Sequence, residues 1–148
     1  MLFFEDIAVG HKARFGRYAV TREEVLDFAS KYDPQPFHLD DEAAAKTFFG
    51  KVSASGWHTC AMTMRMMVEQ MQDKKIQTTG SPGVDKIRWR TPVYPGDVLS
   101  VRSEVLGKKD LPSKPDMGII TAAYEVLNQD GVVVMTFEGA GLYHRRPI

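Results

Sequence analysis

Between Trp57 and Met71 the chain is apolar on more than one helical face. Trp57, Cys60, Ala61, Met64, Val68 and Met71 recur at i, i+3, i+4, i+7, i+11 and i+14, the spacing of a helical stripe. Met62, Met66 and Met67 carry apolar side chains beyond that stripe. A helix apolar over most of its circumference belongs inside a protein, so a buried helix is expected. A methionine-rich face also suits a pliable binding surface, which stays open as a second reading. Something must surround such a helix, and the rest of the chain supplies it. After Gly83 the period changes from helical to two. Residues 84–91, 98–106, 119–127 and 132–144 alternate as strands do, with Leu99 and Val101, then Ile120, Ala122 and Val126, on single faces. A sheet with one apolar face needs a cover. The simplest arrangement wraps an antiparallel sheet around the methionine-rich helix. Helix signals come first and strand signals after, which makes the fold class α+β.

Local signals set the remaining boundaries. Residues 14–20 fit a short strand. Thr21-Arg22-Glu23-Glu24 matches a capping box, and Val25, Phe28, Ala29 and Tyr32 follow at helical spacing. That helix must stop near Asp33, because Pro34 disfavours the α region for its predecessor. Asp40 or Asp41 caps a short helix expected to reach Phe49, with Gly50 as its C′ residue. Ser55 is the N-cap of the long helix. Tyr94-Pro95-Gly96-Asp97 and Asn128-Gln129-Asp130-Gly131 are turns. The Lys- and Pro-rich segment 107–118 is expected to be a mobile loop.

The 148 residues suit a single domain spanning 1–148, long enough to build a core without disulfides or metal. Nineteen basic and nineteen acidic residues leave no net charge, which argues against a nucleic-acid partner. One cysteine, Cys60, excludes an intrachain disulfide and fits a reducing compartment. The start, Met-Leu-Phe-Phe-Glu-Asp, is acidic where an export signal is basic. No apolar run approaches the roughly 18 residues of a membrane span. A cytoplasmic protein without a membrane partner is expected.

Two segments carry chemistry. In Tyr32-Asp33-Pro34-Gln35-Pro36-Phe37-His38 a carboxylate and an imidazole lie five residues apart on a loop stiffened by two prolines. Such a pair can grip one water and move protons near neutral pH, if held rigidly. Read alone, Asp33 could equally end a helix and His38 pack in a loop. In Ser53-Ala54-Ser55-Gly56-Trp57-His58 a helix begins, with unpaired N–H groups and a positive dipole end. Gly56 at its first position lets another atom reach the backbone, as an oxyanion hole requires. An ordinary capped core helix has the same pattern. Alanine is intrinsically the better helix former, so Gly56→Ala is expected to leave stability unchanged or raised. His11, His38, His58 and His144 share no metal-ligand spacing, and no metal is expected.

Taken together, the two segments resemble the MaoC-like dehydratase family, which includes the (R)-specific enoyl-CoA hydratases. The matching residues are Asp33, Pro36 and His38, then Asp40, Ala44 and Phe49-Gly50, then Ser55-Gly56. Pro95-Gly96-Asp97 and the last strand also resemble the family's second half. The likeness covers about residues 3–146. Gln35 stands where Asn is usual, and Ser55 where many members carry His.

The resemblance implies a hot-dog fold working as a homodimer or dimer of dimers. It implies reversible hydration of a trans-2-enoyl thioester to a 3-hydroxyacyl thioester, with no cofactor beyond coenzyme A as part of the substrate. Asp33 and His38 would be the catalytic pair and the Gly56 N–H the oxyanion donor. Gln35, Ser53, Ser55 and Trp57 would line the substrate site. The thioester would be carried by coenzyme A or acyl carrier protein; Lys108, Lys109, Lys114, Arg145 and Arg146 are candidates for coenzyme A phosphates. A hot-dog thioesterase and a non-catalytic acyl-thioester-binding dimer are the alternatives.

Overall fold

In a computed structural model describing residues 1–148, one five-stranded antiparallel sheet partly encloses the long helix. The strands are β1 (Lys12–Ala19), β2 (Gly83–Trp89), β3 (Val98–Asp110), β4 (Met117–Leu127) and β5 (Val133–His144), in the order β1-β3-β4-β5-β2. The helices are α1 (Arg22–Tyr32), α2 (Asp41–Ala45) and α3 (Gly56–Asp73). This is the α+β, hot-dog-like arrangement expected. No helix is long and apolar enough to cross a membrane.

The core lies between α3 and the β1–β3–β4 side of the sheet. Met62 and Met66 from α3 meet Leu99, Val101 and Val126, all almost wholly buried. Gly16 makes that fit possible. It lies in a β1 irregularity with φ +86°, and a Cβ there would come within 2.6 Å of the Met66 sulfur. Only one side of α3 is sealed in this way. His58, Thr59, Met62, Thr63 and Met66 are buried, but Trp57 and Met64 are 60% and 47% exposed. The helix is therefore not buried all round. Its second apolar side faces an open groove between α3 and the β5–β2 edge.

Three local expectations need correction. Segment 107–118 is mostly strand: Lys108 pairs with Ile120 and Lys109 with Ile119, leaving only 111–116 as a connection. Lys108 is held there by donating to the Phe4 carbonyl at 2.6 Å, with its ammonium over the Phe4 ring. Helix α2 stops at Ala45 rather than Phe49. The Thr47 hydroxyl donates to Ala44 O and accepts from Phe49 N–H, offering the backbone a competing turn. The capping box at α1 is half formed. Thr21 accepts from Glu24 N–H, but the Glu24 carboxylate turns to Tyr18 and His58. The Tyr94–Asp97 turn forms as expected, with Asp97 N–H on Tyr94 O at 3.0 Å and Gly96 at φ +96°.

Candidate active site

Asp33 is the C-cap of α1, its N–H on Ala29 O at 2.9 Å. Pro34 stops the helix there. Pro36 opens a 3₁₀ turn, Pro36–His38, that carries His38 inward. The Nδ1 of His38 lies 2.7 Å from the Ser53 carbonyl. A carbonyl oxygen only accepts, so Nδ1 carries the hydrogen. In the neutral ring Nε2 is then an acceptor, and it lies 3.5 Å from Asp33 Oδ2. The side chains of His38 and Asp33 are only 7% and 18% exposed, and both line the cleft described below.

Asp33 is gripped on both oxygens. Gln35 Nε2 donates to Oδ1 at 2.7 Å and the Ser55 hydroxyl donates to Oδ2 at 2.7 Å. Burial pushes its carboxyl up, but these two hydrogen bonds and the adjacent His38 outweigh it, holding the group below its ordinary range. Whenever the His38 ring is neutral, its Nε2 and the Asp33 carboxylate present two acceptors, which suits the two hydrogens of one water.

The Ser55 hydroxyl also accepts from Trp57 N–H at 3.3 Å, capping α3. One side chain thus ties the acid/base pair to the helix start. The Gly56 N–H, one of the orphan donors of the first turn, makes no hydrogen bond within the chain. Asp33, His38, Ser55, Gly56 and Trp57 line one cleft of ≈ 390 Å³, together with Phe48, Phe49, Thr59, Trp89 and Arg90 among others.

The sequence-predicted residues divide into two groups. Asp33, His38, Ser55, Gly56 and Trp57 come together on the cleft. Gln35 and Ser53 do not line it: Gln35 holds Asp33, and fully buried Ser53 holds His38 through its carbonyl. None of Lys108, Lys109, Lys114, Arg145 and Arg146 lines the cleft. Arg145 pairs with Asp110 at 2.5 Å and Arg146 with Asp6. The one cation on the cleft wall is Arg90, whose Nε donates to Thr136 at 3.3 Å.

Trp89 was missed. Alternation places it on an apolar sheet face, but β2 is irregular between Asp85 and Arg88, with Lys86 at φ +57°. Such irregularities re-aim side chains. The Trp89 indole lies against Gly56 and donates from Nε1 to Gly56 O at 2.9 Å. A Cβ on Gly56 would meet the ring at 2.5 Å. Gly56 is therefore required by packing as well as by access to its N–H, which overturns the expectation that alanine there leaves stability unchanged or raised. A glycine opening an otherwise bulky helix was the signal that a large neighbour approaches.

A second buried histidine lies outside the cleft. His58 stacks on Phe28 with centroids 4.6 Å apart and lies 3.4 Å from Glu24, which also accepts from the Tyr18 hydroxyl. Burial holds the His58 ring below its ordinary pKa, against the opposing pull of Glu24.

Sheet, helix and cleft define a hot-dog protein with a carboxylate–imidazole pair at the mouth of its central helix. Residues 6–125 match the MaoC-like domain model. A 3-hydroxyacyl-thioester dehydratase Z of Mycobacterium tuberculosis is 31% identical over 125 residues, covering 82% of this chain and 83% of that one. An uncharacterised protein of Bacillus subtilis, YdeM, is 32% identical over 137 residues, covering 91% and 92%. A MaoC-like dehydratase structure from Rhodospirillum rubrum superposes with a TM-score of 0.87 at 39% identity, over the whole of both chains. The chain belongs to the MaoC-like dehydratase family.

Proposed function

We propose that this protein adds water reversibly across the 2,3 double bond of a trans-2-enoyl thioester, giving a 3-hydroxyacyl thioester. The observation that carries the reading is the Ser55 hydroxyl, which joins Asp33 to the first turn of α3. It sets a proton-accepting pair and a free backbone donor on one cleft. Asp33 and His38 Nε2 each accept one hydrogen of a bound water. The water oxygen bonds to C3 as one of its protons passes to the pair, and the electron pair of the double bond moves toward the thioester carbonyl. The Gly56 N–H and the dipole of α3 meet the negative charge on that oxygen. The pair then returns its proton to C2, so enzyme and electrons are restored. Dehydration runs the same steps backwards. No cofactor takes part beyond the coenzyme A or carrier-protein arm of the substrate.

The relative named as a 3-hydroxyacyl-thioester dehydratase supports this chemistry. Two copies of the chain are proposed as the working unit in the cytoplasm. Edge strand β2 exposes Val84 beside the open groove and Trp89 beside the cleft, an unpaired edge that invites strand pairing. Incubation with crotonyl-CoA tests the reading. Loss of enoyl absorbance without free thiol is expected. Release of free thiol would make the protein a thioesterase, and no change in either signal would refute catalysis on this substrate.

A further inference from the structure

Resting on the hydratase reading, we propose that Trp57 and Trp89 form a partition that sets how long an acyl chain the protein accepts. Two cavities meet at Trp57. One is the catalytic cleft. The other is the apolar groove of ≈ 580 Å³, walled by Cys60, Met64 and Met67 of α3 facing Ile87, Met135 and Phe137 of the sheet. Trp57 is the only residue common to both walls. It packs edge-on against Trp89, with centroids 5.4 Å apart and planes at 74°.

The two indoles are held differently. Trp89 is a fixed post, bonded to Gly56 O and seated on Gly56. Trp57 is 60% exposed, and its indole N–H makes no hydrogen bond in the protein. It is the movable leaf. A thioester oxygen on the Gly56 N–H lies one residue from that leaf, and C3 lies at the Asp33–His38 pair. The acyl tail beyond C3 must leave the pair along apolar walls. The groove behind Trp57 is the large apolar space that shares a wall with the cleft, and its methionines adapt to flexible chains. Trp57 as it stands closes that route, so short enoyl groups are favoured and longer ones must displace the ring.

The test measures kcat/KM for crotonyl-, oct-2-enoyl- and dodec-2-enoyl-CoA with the wild type, Trp57→Ala and Trp57→Phe. Calorimetric binding of butyryl- and octanoyl-CoA runs beside it, because these saturated thioesters cannot be hydrated. Each methylene newly buried is worth about fourfold, so four of them set a ceiling near two hundredfold. We expect the octenoyl-to-crotonyl ratio to rise at least about tenfold in Trp57→Ala, with Trp57→Phe between it and the wild type. The octanoyl-to-butyryl binding ratio should rise in the same order. Ratios within about twofold of the wild type in both measurements would overturn the partition. A wild type that hydrates none of the three substrates refutes the hydratase reading, and the binding ratios then decide the partition separately. Failure of wild type and variants alike to bind either saturated thioester overturns the partition too.

Discussion

Gly56→Ala sets two physical effects against each other, and the structure decides between them. In an open helix, alanine gains up to about 1 kcal/mol over glycine. Here the new Cβ would lie 2.5–2.8 Å from three atoms of the Trp89 indole, well inside contact distance. The ring must swing away. That breaks the Nε1–H to Gly56 O bond, worth about 1 kcal/mol, and disturbs packing at a cost of about 1–3 kcal/mol. Subtracting the helix gain leaves a net loss of about 1–3 kcal/mol. For a chain of this size each kcal/mol lowers Tm by roughly 2–4 °C. A thermal melt should therefore show a fall of several degrees, and turnover should drop as well, because the displaced ring and the new methyl crowd the oxyanion donor. The control is the same substitution in a Trp89→Ala background. With the indole gone, Gly56→Ala should become neutral or stabilising. A raised Tm in the otherwise wild-type protein, or an undiminished loss in the Trp89→Ala background, would refute the reasoning.

Asp33→Asn keeps the volume but removes a proton acceptor, so turnover should fall by roughly 10²–10⁴, well beyond what the fall in Tm expected from setting an amide N–H against Gln35 or Ser55 explains; a loss under about threefold at saturating substrate removes Asp33 from the chemistry. Asp33→Asn/His38→Ala should be little slower than His38→Ala alone, because both residues serve one water; fully multiplicative losses in steady-state rates would mean separate roles. His58 gives a pH effect with a definite sign. Its folded pKa is lowered from 6.5, so the unfolded chain binds the proton first as pH falls. The stability tied to this group is whole above 6.5 and lost as pH drops toward the folded value. His58→Gln should therefore lose less Tm than the wild type between about pH 7.5 and 5.5; an equal loss in both would assign the acid sensitivity elsewhere.

Much of the fold was legible because period and punctuation agreed. Leu99, Val101, Ile120, Ala122 and Val126 alternate in sequence and are all buried in the sheet. Pro95-Gly96 forms the turn that its residues demand. The failures share a cause. Thr47 ended α2 early, Glu24 abandoned its cap for Tyr18 and His58, and Lys108 joined a strand through Phe4. In each case a side chain found a partner that local pattern does not encode. The exposed side of α3 is the same kind of case. Composition shows that Met64, Met67 and Met71 are apolar, but only topology shows that the sheet closes on one side of the helix and leaves the other to a groove.

The site divides along the same line. Asp33, His38 and Gly56 stood out because their chemistry and stiff surroundings are written in adjacent residues. Trp89 lies 33 positions from Gly56, and the irregularity at Lys86 that aims it has no turn dipeptide to announce it. The roles of Gln35 and Ser53 were equally hidden, because whether a polar residue touches the substrate or the residue that touches it depends on a few ångströms. Ser55 shows what that distinction is worth. From sequence it is a helix cap and a candidate ligand. In the fold its single oxygen accepts from the helix and donates to Asp33. In this chain the double role needs a side chain that both donates and accepts within reach of Asp33 and the Trp57 N–H. Ser55→Ala would cost α3 its cap and Asp33 one of its two side-chain donors at once. The loss of activity should exceed what the loss of stability explains. A variant with Tm and turnover both unchanged would separate the helix start from the acid/base pair and dissolve the common frame proposed for the site.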